Sequence, residues 1–125
     1  MDDKRDFTFD EQRFPLDKVQ SFVQTLHEND QHYVLILDPA IAVDDNAPFH
    51  RGKEKDVFLK NHNGSLFVGK VWPGLSAFPD FTHPNTSIWW TDEIQRFKQM
   101  VAFDGLWIGS ISPISLLSKH DCSEA

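Results

Sequence analysis

Asp38 is the first candidate functional residue, because it directly follows an apolar, β-prone run at residues 31–37. A continuous apolar run of this kind is typical of a strand that is buried on both faces in a parallel sheet. The carboxyl ends of parallel strands face the functional site in α/β folds, so a carboxylate here is well placed for binding or catalysis. The alternative is that Asp38 and Pro39 simply begin a loop.

Two tryptophans could line the same site. Trp72 lies before Pro73 in a loop that must fold over this face of the sheet, and Trp107 lies in a second apolar run at 104–108. A Trp beside a carboxylate is a common platform for sugars, since its ring packs on C–H groups while its N–H can donate. The alternatives are a Trp72 that is buried under a hairpin and a Trp107 that packs on a helix.

Other catalytic and metal-binding patterns are missing from the sequence. None of the six histidines forms a His-x-x-x-His or Glu-x-x-His pair, so no metal site is expected. Ser110 and Ser112 lack a Gly-x-Ser-x-Gly elbow, and there is no Gly-rich phosphate loop. The 12 basic and 19 acidic residues give a net charge of −7, which argues against a nucleic-acid partner. We therefore expect no cofactor, and we interpret the acidic N-terminal stretch as a solvated face.

The elements that must position these residues form an α/β pattern with a parallel sheet. Its order is a helix at 15–29, a strand at 31–37, a polar loop at 40–55, a β-hairpin with arms at 56–60 and 65–71, a helix from Asn85 or Thr86, and a strand at 104–108. The Asn63-Gly64 pair is a strong hairpin turn signal, and we expect this hairpin to hang off the main sheet as an insertion. Pro73 and Pro79 should keep segments 72–74 and 78–81 out of a central strand.

The second helix is expected to bury an apolar face made of Ile88, Trp89, Ile94, Phe97, Met100 and Val101. Trp89 and Trp90 are adjacent, so at most one of them can face the core squarely. Helix packing is the expected role of both.

Length and composition limit the remaining possibilities for the size and class of the protein. With 125 residues, 14.4 kDa and 40% apolar residues, the chain is one domain or part of one. A single cysteine, Cys122, allows no internal disulfide, and no apolar run is long enough for a membrane span. The N-terminal sequence is unlike a signal peptide and starts inside a patterned segment, so we expect the natural beginning to lie upstream. The sequence does not define the compartment.

Four motifs, taken together and in this order, resemble glycoside hydrolase family 31, the family of retaining α-glucosidases. They are Leu35-Ile36-Leu37-Asp38-Pro39-Ala40-Ile41, Val71-Trp72-Pro73-Gly74, Phe78-Pro79-Asp80-Phe81 and Phe103-Asp104-Gly105-Leu106-Trp107-Ile108. The resemblance covers residues 1–108, and 109–125 is expected to be a divergent tail, as a loop or disordered. It implies a partial (β/α)8 TIM-barrel segment with about two strand–helix units and the β-hairpin insertion.

The resemblance also implies a reaction and a set of binding residues. Family members hydrolyse terminal α-linked glucose by a double displacement, which needs two carboxyl groups about 5–5.5 Å apart. The positions that match residues lining the glucose pocket are Ile36, Asp38, Trp72 and Trp107. The family's aspartate nucleophile is replaced here by Gly109, and the acid/base is expected beyond Ala125. The resemblance thus implies no catalytic residue within this chain.

Two functional hypotheses follow from this resemblance. In the first, the chain is a fragment or variant product of an α-glucosidase gene, related to enzymes that act on glycans with terminal α-glucose but inactive alone. It would then need the rest of the barrel, and we expect poor solubility without it, because a closed barrel takes about 250 residues. In the alternative, the chain is a non-catalytic carbohydrate-binding or regulatory module that keeps Asp38 and Trp72 as a recognition surface.

Overall fold

Helices and short strands alternate through residues 1–109, the part of the chain that the computed structural model describes. After a 3-10 turn at Asp2–Lys4, the elements are α1 (Leu16–Glu28), β1 (Val34–Leu37), β2 (Ile41–Ala42), α2 (Ala47–Glu54), β3 (Val68–Val71), β4 (Gly74–Ala77), α3 (Pro84–Met100) and β5 (Gly105–Ile108). The strands form two separate sheets, one pairing β1 with β5 and one in the order β2-β4-β3.

The first sheet is the parallel pair expected from the two apolar runs. β1 pairs with β5 in parallel, with Ile36 opposite Trp107 and Leu37 opposite Ile108. α1 precedes β1 along the chain and α3 precedes β5. The predicted α/β class and its parallel sheet are therefore confirmed.

Both strands differ from the prediction in their burial. Leu37 is 3% exposed, whereas Ile36 is 41% and Trp107 67% exposed, so the expectation of strands buried on both faces is wrong. Register partners on a parallel pair point to the same side, which places Ile36 and Trp107 on one face. Within residues 1–109 no element covers that face, which we call the open face.

The predicted first helix is confirmed as α1, and a polar contact fixes its end to the parallel pair. His27 Nε2 lies 2.8 Å from Asp104 Oδ2, and the same oxygen accepts the Tyr33 backbone N–H at 2.8 Å. The Asp104 N–H in turn donates to the Tyr33 carbonyl at 2.9 Å. The hydrogen bonds that the Asp104 carboxylate accepts lower its pKa, with the Tyr33 amide having the largest effect and His27 the next.

The second sheet shows that the hairpin was predicted with the wrong pairing. The Asn63-Gly64 turn does form, with Gly64 at φ +82° and its N–H donating to the Asn61 carbonyl at 2.8 Å. The arms, however, pair only through an isolated bridge between Lys60 and Leu66. The antiparallel ladder joins β3 to β4 instead, and the chain turns at Trp72 and Pro73.

Strand β4 also corrects the expectation for the proline-containing segments. It is the central strand of the second sheet and begins at Gly74, which was expected to stay outside such a strand. Pro73 itself lies in the turn, and Pro79 forms an isolated bridge with Phe58. This sheet shares no strand with the parallel pair, as was expected of the hairpin.

The polar stretch at 40–55 is not a loop, because it contains β2 and α2. Asn46 caps α2 by accepting the Phe49 backbone N–H on its side chain at 3.0 Å, and Pro48 occupies the first turn. Gly52 is needed for close packing, since a Cβ there would lie 2.6 Å from Phe58 Cζ. The residues that suggested a loop are thus a helix cap, a first-turn proline and a packing glycine.

The main core joins this second sheet to α2 and α3. Its buried members are Ile41, Phe49, Val57, Phe58, Ala77 and Trp89. Trp89 is fully buried and its ring meets that of Phe58 edge-on at 5.5 Å. Trp90 is half-buried and packs edge-on against Phe7 at 5.4 Å. As expected, only one of the two tryptophans faces the core.

Helix α3 begins at Pro84, one or two residues earlier than predicted, with His83 as its N-cap. Its predicted apolar face is partly wrong, since Ile88 is 56% and Met100 37% exposed. The fully buried face includes Glu93, whose two oxygens each accept a hydrogen bond from Arg51 of α2 at 2.6 Å. This bidentate ion pair clamps α2 to α3 and raises the pKa of Arg51.

Candidate functional site

The candidate site lies where β1 and β5 end together. Asp38 follows β1 and Gly109 follows β5, and the Gly109 N–H donates to the Leu37 carbonyl at 2.8 Å. A Cβ built at Gly109 would overlap Asp38 Oδ1. The Asp38 carboxylate therefore occupies the space in which a side chain at position 109 would begin.

An apolar surface borders this carboxylate. Ile36 and Trp107, side by side on the open face, lead up to the strand ends that carry Asp38 and Gly109. Trp107 is 67% exposed, so the alternative in which it packs on a helix does not hold within residues 1–109. The structure thus brings three of the four predicted binding residues to one place, whereas Trp72 lies in the turn between β3 and β4.

Trp72 projects from the β3–β4 turn and is 59% exposed, so it is not buried under the hairpin. The ammonium of Lys4 lies 5.9 Å from the centre of its ring, within reach of a cation–π interaction. Two residues further on, Asp6 contacts Asp38. The short segment from Lys4 to Asp6 thus connects Trp72 with the end of β1.

Arg5 holds this segment in place. Its guanidinium donates to the carboxylates of Asp2 at 2.9 Å, Asp3 at 3.2 Å and Asp44 at 3.4 Å. Thr8 Oγ1 closes the turn by donating to the Arg5 carbonyl at 2.6 Å. The carboxylates of these ion pairs are largely exposed, so the interpretation of the N-terminal stretch as a solvated face holds for Asp2 and Asp3. It does not hold for Asp6.

Asp6 is the residue that this interpretation missed. It is 6% exposed, and its Oδ1 accepts the Asp38 backbone N–H at 3.4 Å. Its Oδ2 is buried and has no hydrogen-bond partner among residues 1–109. Burial, and to a smaller extent the charge of Asp38, raise the pKa of Asp6 to about 7 against opposing effects of the Asp38 amide and the N-terminal ammonium.

We expect Asp6 to make stability fall as pH rises. Its folded-state pKa of about 7 exceeds the ordinary value of 3.8, so the unfolded chain loses this proton first. The contribution is complete below pH 3.8 and is lost progressively up to about pH 7. Urea unfolding of the wild type and of Asp6→Asn over this range should show a decline that the variant lacks. An equal decline in both proteins would contradict this assignment.

Metal and membrane sites are not evident in the described region. No group of three or more His, Cys, Asp or Glu side chains within residues 1–109 could hold a metal ion. The same region has no helix long and apolar enough to cross a membrane.

Fold and site together define a class of protein. A parallel strand pair, each strand preceded by a helix, with a carboxylate at the shared carboxyl end, is the arrangement found in parallel α/β proteins, among them (β/α)8 barrels. Residues 1–125 match the model of the glycosyl hydrolases family 31 TIM-barrel domain. The chain belongs to this family, and the resemblance carried by its four motifs is confirmed.

Curated relatives and solved structures agree with this placement. The chain is 50% identical over 111 residues to a probable alpha/beta-glucosidase of Aspergillus flavus. The match covers 86% of this chain and 13% of that protein. It is 46% identical over 127 aligned positions to a probable alpha/beta-glucosidase of Aspergillus fumigatus, and this match covers 99% of this chain and 14% of that protein. A family 31 alpha-glucosidase structure from Bacteroides thetaiotaomicron superposes with a TM-score of 0.80 at 32% identity, covering 100% of this chain and 22% of that one.

A glucosidase II alpha subunit in its alpha3-Glc2-bound form superposes with a TM-score of 0.73 at 29% identity. The match covers 86% of this chain and 12% of that one. The chain therefore spans about one eighth of the first Aspergillus relative. The predicted partial barrel is confirmed by the match to the TIM-barrel domain and by the superposition, which covers 22% of the Bacteroides chain. Within residues 1–109 the strands do not close a barrel. The relatives support a glycoside hydrolase origin for this segment.

Proposed function

We propose that the chain forms one wall of the glucose-binding pocket of a retaining α-glucosidase and has no hydrolytic activity by itself. The observation that carries the proposal is the placement of the Asp38 carboxylate against Gly109 at the shared end of β1 and β5. The ligand would be an oligosaccharide or glycan that ends in α-linked glucose. The rest of the barrel would complete the pocket, because barrel sites are built from many strand ends.

Each candidate residue has a distinct role in this proposal. Asp38 would accept hydrogen bonds from sugar hydroxyls, since a carboxylate offers two acceptor oxygens. Trp72 and Trp107, both more than half exposed, would pack their rings on sugar C–H groups. Ile36 would extend the apolar surface beside Trp107.

The proposed lack of activity rests on position 109. A retaining mechanism needs a carboxylate that attacks the anomeric carbon and a second carboxyl group that protonates the leaving oxygen. Gly109 has no side chain with which to attack. The acid/base, by resemblance to the family, is expected beyond Ala125.

Incubating the purified chain with a chromogenic α-glucoside tests this part of the proposal. We expect no release of the chromophore above the rate in buffer. Asp38→Asn serves as the matched control, because turnover from a contaminating enzyme would be the same in both preparations. Turnover that is present in the wild type and lost in Asp38→Asn would overturn the claim of inactivity.

Sugar binding is expected to depend on Trp72. By analogy with aromatic pairs, the contact of an aromatic face contributes about 1 kcal/mol. Trp72→Ala should therefore weaken maltose binding about fivefold. Phe22→Ala is the control, since Phe22 is also exposed, at 55%, but lies on α1. Calorimetric titration measures both variants. Equal affinities for the wild type and Trp72→Ala would remove Trp72 from the site.

The same titration separates the proposal from its alternative, a carbohydrate-binding module. That alternative is favoured by the exposure of both Trp72 and Trp107. One wall of a pocket should bind maltose no tighter than the millimolar range, since few of its contacts are present. Micromolar affinity of the isolated chain would establish the module instead.

A further inference from the structure

We propose that Asp6 is a positioning residue for Asp38, and that the protonation state of Asp6 sets where the Asp38 carboxylate lies. This inference rests on the proposed function, because it concerns how Asp38 is presented to a sugar. It adds a residue outside the two parallel strands to the site.

The contact between the two residues is direct. Asp6 Oδ1 accepts the backbone N–H of Asp38 at 3.4 Å, so Asp6 holds the chain at the point where β1 ends. Its other oxygen, Oδ2, is enclosed without a hydrogen-bond partner among residues 1–109. An ionised carboxylate in that setting lacks compensation, and the neutral acid costs less to bury, so protonation of Asp6 is favoured.

The flanking residues keep Asp6 buried. On one side, Arg5 is fixed by its ion pairs with Asp2, Asp3 and Asp44. On the other side, Phe7 has a left-handed backbone with φ 60° and packs its ring on Trp90. Turning Asp6 out to solvent would disrupt these contacts, so the carboxyl responds to its surroundings by taking up or releasing a proton.

The charges that act on Asp6 come from two directions. Asp38 repels its ionised form, and the N-terminal ammonium attracts it. A charged Asp6 likewise repels the Asp38 carboxylate, while a neutral Asp6 lets that carboxylate lie against Gly109. Burial places this change near neutral pH, because the pKa of Asp6 is raised to about 7.

The backbone amide of Asp38 reports the protonation of Asp6, because it donates to Asp6 Oδ1. In ¹H–¹⁵N spectra of the full chain, we expect the Asp38 amide shift to titrate with a midpoint near 7 and to be flat in Asp6→Asn. Asp17→Asn, which removes an exposed carboxylate on α1, should leave the titration unchanged. A flat response in the wild type, or a retained titration in Asp6→Asn, would overturn the proposal.

Carbon-13 shifts of the Asp6 carboxyl in the wild type keep the test decisive if Asp6→Asn does not fold. Midpoints for the Asp6 carboxyl and the Asp38 amide that coincide support the proposal, and midpoints that differ contradict it. The position of the Asp38 carboxylate is read at Gly109, which lies against that carboxylate. We expect the Gly109 signals to titrate with the same midpoint, and Gly109 signals that stay flat would contradict control of the Asp38 carboxylate by Asp6.

Maltose titrations separate this inference from the proposed function. We expect wild-type affinity to fall several-fold as pH rises through the same midpoint, and the affinity of Asp6→Asn to stay constant. Absence of maltose binding at every pH would contradict the proposed function, while the Asp38 amide would still decide the role of Asp6. Binding that is unaffected by pH, with a flat Asp38 amide, would overturn the role of Asp6 alone.

Discussion

Replacing Arg51 with methionine is expected to lower the free energy of unfolding by about 3 kcal/mol. The side chain of Glu93 is 2% exposed, and its two oxygens each accept a hydrogen bond from Arg51 at 2.6 Å. The substitution keeps most of the side-chain volume but leaves the carboxylate enclosed without its cation. Urea unfolding at neutral pH, followed by circular dichroism, measures the loss.

Two controls show whether the loss comes from the unpaired charge. The double variant Arg51→Met with Glu93→Leu should regain most of the stability, because it removes both charges. Lys60→Met breaks an exposed pair, Lys60 with Asp56 at 2.6 Å, and should cost less than about 1 kcal/mol. An Arg51→Met variant no less stable than Lys60→Met would show that the clamp between α2 and α3 is unimportant.

Replacing Trp89 with alanine is expected to cost about 3–5 kcal/mol. Trp89 is fully buried in the main core, with its ring 5.5 Å from that of Phe58 and close to Gly52. Truncation removes apolar contacts and leaves a cavity that the sheet and two helices cannot close. Chemical unfolding followed by circular dichroism gives the change without relying on tryptophan emission.

Trp72→Ala is the matched control for this substitution. Trp72 is 59% exposed at a turn, so its removal should change stability by no more than about 0.5 kcal/mol. The two variants therefore divide the tryptophans into one that stabilises the fold and one that is proposed to bind sugar. Comparable losses of stability would contradict that division.

Local patterns were enough to predict α1 and the parallel pair. The apolar spacing in α1 and the β-prone runs of β1 and β5 are properties of short segments, and these elements formed as expected. The burial of these strands could not be predicted in the same way, because it depends on which other elements cover them. Ile36 and Trp107 are exposed because nothing within residues 1–109 covers their face of the sheet.

The errors arose where distant contacts decide the structure. Pro48 and Gly52 are usual loop residues, but an Asn46 cap and close packing on Phe58 make this stretch a helix. The Asn63-Gly64 turn formed as predicted, yet it does not set the ladder, which follows the turn at Trp72 and Pro73. A turn signal shows where the chain reverses, but tertiary contacts decide which strands then pair.

Only the part of the site that a local pattern indicates could be predicted from the sequence. Asp38 follows from its place at the end of an apolar run, and the roles of Ile36, Asp38, Trp72 and Trp107 remain predictions. Asp6 could not be found from local sequence, because its acidic neighbours suggest exposure. Its burial depends on the path of the chain from Arg5 to Phe7 and on the end of β1.

The parallel pair also bears on whether copies of the chain associate with one another. Within residues 1–109, β1 and β5 each have one edge without a strand partner, and the open face beside them is apolar. Such edges are templates for intermolecular pairing. We therefore expect self-association to compete with unfolding, so that the melting temperature shifts with protein concentration. Free energies of unfolding should then be compared between variants in dilute solution at matched concentration.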